Sequence, residues 1–205
     1  MNGRALIADA TALIGEFVAS VPAIRAYVRN HPEVAVDLLV SPVNAPLARK
    51  IRGIGNVYVT EREADRDTTT LPEYGVAFAL RINDRAYRML RNAPMRTLRT
   101  GAKHFAWYAS HLLWSLRKRE TPVQWREMNF RMLGEEPCEI PFDEVFHFGG
   151  SERNQVLQMP EMQTDKKRII VHTGTNWIMK QWENGKWIEL LNRLNEKVRA
   201  EFVFV

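Results

Sequence analysis

The stretch Arg4-Ala5-Leu6-Ile7-Ala8-Asp9, with Thr11-Ala12-Leu13-Ile14-Gly15-Glu16-Phe17 behind it, decides the fold. The first six residues are apolar between two charged ends and read as a short buried strand. A turn containing Gly15 follows. Phe17, Val21, Ile24 and Val28 then recur at helical spacing, which predicts a helix over 16–30. His31-Pro32 ends it, because the residue before a proline is pushed out of the α region. Val34-Ala35-Val36-Asp37-Leu38-Leu39-Val40 is the next strand. Strand, helix and strand in this order, with apolar runs and no in–out alternation, indicate a parallel sheet covered on both faces.

Working outward, the alternation continues. Asn44 is placed to cap a short helix through Lys50. Strands are predicted at 57–60, 75–81 and 97–99, with a polar loop at 61–73 and a short basic helix at 83–91. Helices are predicted at 104–119, rich in aromatics, and at 122–133 behind the cap residue Thr121. Residues 134–165 hold Pro137, Pro141, Gly149, Gly150 and Pro160 and read as a linker. A strand at 168–173, a helix at 185–200 with Trp187, Leu190, Leu191 and Leu194 on one face, and a strand at 201–205 restart the alternation. The expected architecture is α/β and doubly wound. A first domain spans 1–133, a linker 134–165, and 166–205 is the opening βαβ of a second, incomplete domain.

Of the 205 residues, 45% are hydrophobic and 26% charged, enough to bury a core and to exclude general disorder. The single cysteine, Cys138, excludes an intrachain disulfide framework and a four-thiolate zinc site and points to a reducing compartment. The longest apolar runs fall far short of the roughly 20 residues of a membrane span. Arg4, Asp9 and Glu16 interrupt the apolar N-terminus, unlike a signal peptide. A cytoplasmic address is therefore expected. The net charge of +5 is uneven: residues 81–119 hold ten basic residues and one acid, Asp84. Such a block fits an anionic partner or a solvated face. Within it, 104–119 places Phe105, Tyr108, Leu112 and Leu116 near one stripe and closes on Arg117-Lys118-Arg119. That helix either covers the sheet or makes a peripheral contact with the inner face of an anionic membrane. Nucleic acid is not expected as a partner, since no reading motif accompanies the charge.

Several motifs fail. There is no phosphate loop of the GxxxxGK[ST] type. The GxG of Gly53-Ile54-Gly55 lacks a third glycine and precedes a strand where a dinucleotide fingerprint follows one. Asp65-Arg66-Asp67 lies in a polar loop, His104, His111, His147 and His172 show no ligand spacing, and no metal is expected. Cys138 has no histidine beside it in sequence and makes a poor nucleophile.

Two loops carry more. Ligands of open α/β sheets bind outside the carboxyl ends of the strands. Glu16 stands there, at a helix N-terminus, behind Gly15, which lets the backbone approach a ligand. A carboxylate so placed can take a proton from a hydroxyl. Its charge also suits the helix dipole, worth about 0.3–1 kcal/mol, and physics alone favours that plainer role. The second loop, 173–182, follows a strand and precedes a helix. It holds Thr173, Gly174, Thr175, Lys180 and two tryptophans, Trp177 and Trp182. Hydroxyls, a glycine and a lysine at a helix N-terminus suit a phosphate.

Two segments together resemble glycosyltransferase family 9, the heptosyltransferases of lipopolysaccharide core assembly. One is Ile14-Gly15-Glu16-Phe17-Val18 with Val21-Pro22-Ala23-Ile24-Arg25-Ala26, His31-Pro32 and Val36-Asp37-Leu38-Leu39-Val40. The other is Val171-His172-Thr173-Gly174-Thr175, Met179-Lys180-Gln181-Trp182 and Lys186-Trp187-Ile188-Glu189-Leu190-Leu191. Glu127-Met128-Asn129 with Met132-Leu133-Gly134 is similar to the family's helix before its interdomain linker. The resemblance implies a GT-B fold of two Rossmann-like domains, inverting transfer without metal or other cofactor, and an ADP-heptose-like donor. The acceptor implied is a phosphorylated glycolipid or glycan. It places Glu16 at the general base, where the family usually has aspartate, and Thr173, Gly174, Thr175 and Lys180 at the donor phosphates. Gly15, Arg81, Arg99 and Lys103 are expected at the acceptor. The family's later Asp-x-Gly-like, histidine-containing loop is not among these residues. The other expectation is a truncated remnant that only binds carbohydrate or nucleotide.

Overall fold

The structure is a computed structural model that describes residues 3–60, 71–81, 84–100, 125–163, 165–174, 181–198 and 200–204. The chain divides into two compact units, Met1–His147 and Phe148–Val205.

The first unit is built on five parallel strands: β1 (Arg4–Asp9), β2 (Ala35–Val40), β3 (Ile54–Val59), β4 (Tyr74–Arg81) and β5 (Met95–Thr100). Their order is β3-β2-β1-β4-β5. Helices α1 (Ile14–Asn30), α2 (Ala45–Ala48), α3 (Asp84–Asn92), α4 (Trp125–Leu133) and α5 (Phe142–Val145) complete it. The apolar runs are explained by burial on both faces. Ala5, Ile7, Val36, Leu38 and Phe78 pack with Phe17, Val21 and Ile24 of α1 and Phe130 and Leu133 of α4. Leu6, Ala8, Leu39, Ala77 and Ala79 pack on the other side with Leu71 and with Ala86 and Leu90 of α3.

The chain after α4 belongs to this unit. Gly134, at φ +81°, ends α4: its N–H donates to Arg131 O, and the Glu135 N–H donates to Phe130 O. Such a C-terminal motif needs the left-handed backbone that glycine adopts freely. Buried Glu135 then holds the end of α1, accepting from Asn30 Nδ2 at 2.6 Å and meeting His31 Nε2 at 3.0 Å. Further on, Arg25 Nε donates to Glu144 O and Arg52 Nε to Asp143 O, while His147 N donates to Lys50 O. Where the sequence reads a linker over 134–165, residues up to His147 are fastened to the first unit and the division falls after them.

The second unit contains α6 (Gly150–Gln158), a 3-10 turn (Pro160–Met162), β6 (Lys167–Val171), α7 (Asn184–Lys197) and β7 (Ala200–Phe204). Two helical segments, α5 and α6, thus stand inside the expected linker. β6 and β7 pair in parallel. Trp187, Leu190, Leu191 and Leu194 are the half-buried positions of α7, as their spacing predicts, and no residue of that helix is fully buried. Other differences are local: α1 starts two residues earlier than its periodicity indicates, and β5 is twice as long as the expected strand at 97–99. Asn44 does not cap α2 with its side chain, which bonds to Thr11 O instead. The predicted helix at 104–119 and the pair Asp65/Asp67 lie outside the described residues. Among the described residues no helix is long and apolar enough to cross a membrane.

A buried polar network crosses the second face of the sheet. Asp37, fully buried on β2, accepts from Tyr74 Oη at 2.8 Å and from Asn56 N at 2.7 Å. Arg4 Nε stands 3.1 Å from its Oδ2 as a charge contact without hydrogen-bond alignment. Burial, and then the bond to Asp37, push the Tyr74 hydroxyl far above its ordinary pKa of 10.0. Folding therefore holds the proton that the unfolded chain releases above pH 10. The resulting stability is complete below that pH and declines as pH rises past it. Tyr74→Phe is expected to lower the unfolding free energy by about 1.5–3 kcal/mol at neutral pH, the scale for a buried bond to a charged group. It should also flatten the decline above pH 10. Denaturant titrations of both proteins from pH 7 to 11 check this; equal midpoints at neutral pH would contradict it.

Candidate active site

Strands β1, β2 and β3 run outward from the centre in one direction and β4 and β5 in the other, so the topological switch lies between β1 and β4. The crevice beyond the carboxyl ends of those two strands is where sheets of this order bind ligands. β1 ends there on Asp9 and β4 on Arg81. The two strands pair Ala8 with Ala79 and then Asp9 with Arg81, so Leu80 is an inserted residue. A bulge of this kind re-aims the side chains beyond it. Here it sets Arg81 beside Asp9 as a two-pronged ion pair: Nε donates to Oδ1 at 3.1 Å and Nη2 to Oδ2 at 2.8 Å. The Asp9 side chain is fully buried and that of Arg81 is 13% exposed. The hydroxyl of Ser20 on α1 also donates to Asp9 Oδ2, at 2.5 Å. Removing one partner of such a pair strands the other in the interior, at a cost of about 3–5 kcal/mol.

Beyond Asp9 the chain passes through Thr11 and Leu13 into α1, which carries Glu16. Glu16 is exposed in the first turn of α1. Its Oε2 accepts a hydrogen bond from Thr11 Oγ1 at 2.7 Å, and Thr11 Oγ1 accepts one from Leu13 N at 3.2 Å. The Thr11 carbonyl is fixed as well, by Ser41 Oγ at 2.6 Å and Asn44 Nδ2 at 2.8 Å, both from the loop after β2. An exposed carboxylate with one oxygen tied to the protein can take a proton from a hydroxyl that comes within about 2.6–3.2 Å of the other oxygen. Gly15 is exposed, and a Cβ built on it meets nothing within 4 Å, so no neighbour in the fold requires a glycine there.

The other predicted residues are scattered. Arg81 is held by Asp9. Arg99, on β5, lies over the Phe78 ring at 5.5 Å and lines a cavity of about 210 Å³ with Tyr27, His31 and Val76. Tyr27 lies eleven residues beyond Glu16 on α1, about 16 Å at 1.5 Å per residue. Arg99 is therefore near the far end of that helix and is not brought to Glu16. Thr173, half-buried, and Gly174, exposed, follow β6 after His172 in the second unit. Thr175, Lys180 and Lys103 lie outside the described residues. Cys138 has its sulfur 3.7 Å from Arg29 Nη2. Among the described residues no group of three or more His, Cys, Asp or Glu could hold a metal ion. Sequence reasoning missed Asp9, Ser20, Thr11, Ser41 and Asn44. A charge closing an otherwise apolar strand was the available signal for Asp9; Ser20 and Thr11 bond within the first twenty residues, and Ser41 and Asn44 depend on a contact between loops thirty or more residues apart.

No protein-family model matches the chain, and no curated protein matches it in sequence. Solved structures do match in shape. An Escherichia coli heptosyltransferase WaaC with ADP superposes with a TM-score of 0.65 at 15% identity, over 97% of this chain and 67% of that one. The E. coli ADP-heptose lipopolysaccharide heptosyltransferase II gives 0.64 at 11% identity, over 98% of this chain and 63% of that one. A family 9 glycosyl transferase from Veillonella parvula DSM 2008 gives 0.64 at 11% identity, over 100% of this chain and 63% of that one. The chain spans about two thirds of the length of these proteins. Along that length it has the GT-B-like α/β fold of the heptosyltransferases.

Proposed function

We propose that the chain is a glycosyltransferase of family 9 type, inverting and independent of metal. In this reading it moves a heptose-like sugar from an ADP-linked donor to a hydroxyl of a phosphorylated lipopolysaccharide-core or related glycan. One observation carries the reading. An exposed carboxylate, Glu16, is held by Thr11 beside the switch point of a sheet that shares its fold with heptosyltransferases, one of them solved with ADP.

The chemistry follows from that position. Glu16 takes the proton of the acceptor hydroxyl as its oxygen attacks the anomeric carbon. The bond from that carbon to the donor diphosphate breaks on the opposite face, so a single displacement inverts the centre. Negative charge grows on the departing diphosphate, and Lys180, with Thr173, Gly174 and Thr175, is assigned to stabilise it. Gly15 lets the acceptor lie against the backbone next to Glu16. Arg81 serves through Asp9, by holding the floor of the crevice, and Lys103 is assigned to an acceptor phosphate on charge alone. Arg99 is left out of the acceptor site because it stands near the end of α1 remote from Glu16. The basic stretch 81–119 suits an anionic membrane surface, where a lipid-linked acceptor resides.

Three substitutions test this reading. Glu16→Gln should lower turnover at least about 100-fold, the scale for losing a general base, and leave ADP binding unchanged in calorimetry; equal turnover removes Glu16 from the mechanism. Lys180→Ala should weaken ADP binding by about 1.5–3 kcal/mol, the range for a bond to a charged group. ADP that binds parent and variant equally would assign the lysine elsewhere. Gly15→Ala should raise folding stability by about 0.5–1 kcal/mol, since glycine is costly in a helix and the new methyl meets open space. The same variant should raise the KM for the acceptor, because the methyl stands where the acceptor lies. An unchanged KM would show that the acceptor keeps clear of this backbone.

A further inference from the structure

We infer that Thr11 is a positioning residue for the Glu16 carboxylate, clamped from behind by Ser41 and Asn44; the inference rests on the reading of Glu16 as the base. The hydrogen-bond bookkeeping fixes the direction of each bond. Thr11 Oγ1 accepts from Leu13 N, so its single hydrogen is directed to Glu16 Oε2. That bond ties one carboxylate oxygen to the protein and leaves Oε1 to meet the acceptor hydroxyl. Glutamate has one more rotatable bond than aspartate, and a surface glutamate at a helix start samples several rotamers. The Thr11 bond selects among them. Thr11 can do this only if its own backbone is still, and two donors from the loop after β2 converge on its carbonyl oxygen. Asn44 is 1% exposed, and its Oδ1 has no hydrogen-bond partner among the described residues. A buried amide satisfied on its donor side alone lowers stability. Its use here is explained by the carbonyl it holds. The clamp makes the geometry of Glu16 depend on β2 as well as on β1 and α1, as expected where a reacting group must be kept within a fraction of an ångström.

The test uses Thr11→Val, nearly isosteric and unable to donate, and Thr11→Ser, which restores the hydroxyl. With the transferase assay under ADP-heptose, Thr11→Val should lower kcat about tenfold with KM for donor and acceptor unchanged, and Thr11→Ser should recover most of it. In a Glu16→Gln background, Thr11→Val should cost nothing further, because its effect runs through Glu16. Equal kcat for Thr11→Val and the parent, or a further loss in the Glu16→Gln background, overturns the inference. A second readout does not need turnover: carbon relaxation of the Glu16 side chain by NMR. Its order parameter should fall in Thr11→Val and stay at the parent value in Thr11→Ser. A protein inactive with every nucleotide sugar tried sinks the transferase reading alone. The relaxation result then decides the positioning by itself, a fall supporting it and no change overturning it.

Discussion

Asp9 and Arg81 meet where the sheet reverses its direction of growth, and the first unit is arranged around that meeting. A carboxylate with no exposed surface is tolerable only when its lone pairs are occupied and its charge is balanced. Three bonds satisfy Asp9, from Arg81 twice and from Ser20 once. They come from β4 and α1, so β1, β4 and α1 must be in place together. The bulge at Leu80 is the backbone's response: in an unbroken register Asp9 would pair with Leu80, and Arg81 would fall on the face of Ala79. The pair thus fixes the register of the two central strands and the seat of α1 at the edge where a ligand would bind.

The layout of the sheet was legible because burial on both faces leaves a plain mark. Apolar runs such as Leu6–Ala8 and Leu38–Val40 have no polar face to show, and the periodicity of Phe17, Val21 and Ile24 separates helix from strand. The end of the first unit was not legible. Pro137 and Pro141 break regular structure, and broken structure looks like a linker in a sequence. The arginines that fasten this segment, Arg25 and Arg52, bind main-chain carbonyls at Glu144 and Asp143, and a carbonyl has no signature in the residue type. Asn44 misled for a related reason. Its position suits a cap, but a carbonyl thirty-three residues away competed for the same donor and won.

The candidate site was legible only in its outermost residue. Glu16 could be placed from the turn, the helix start and the rule about strand ends. Arg81 was noticed for its charge, as part of a basic block, and its commitment to Asp9 changes what that charge is for. A guanidinium spent on a buried aspartate contributes little field to a solvent crevice, since the pair is nearly neutral at a distance. Arg99 shows the same limit. Proximity in the chain to other cations says nothing about which part of the fold a residue reaches, and Arg99 stands at the end of α1 where Tyr27 and His31 lie.

Three carboxylates on β1, α1 and β2 were open to a functional role, and their surroundings sort them. Asp37 takes bonds from Tyr74 and Asn56 and has Arg4 against it. Asp9 takes three. For either to accept a substrate proton, a bond already made in the interior would have to break, and the freed partner would be left unsatisfied in a place water does not reach. Glu16 has neither constraint. It is exposed, its bond from Thr11 uses a single oxygen, and solvent can supply any partner it loses. The buried pair, tied to α1 through Ser20, supplies rigidity, and the exposed carboxylate supplies a lone pair that a ligand can reach. Of these three carboxylates Glu16 alone presents an oxygen to solvent, although Asp9 lies at the very end of the central strand.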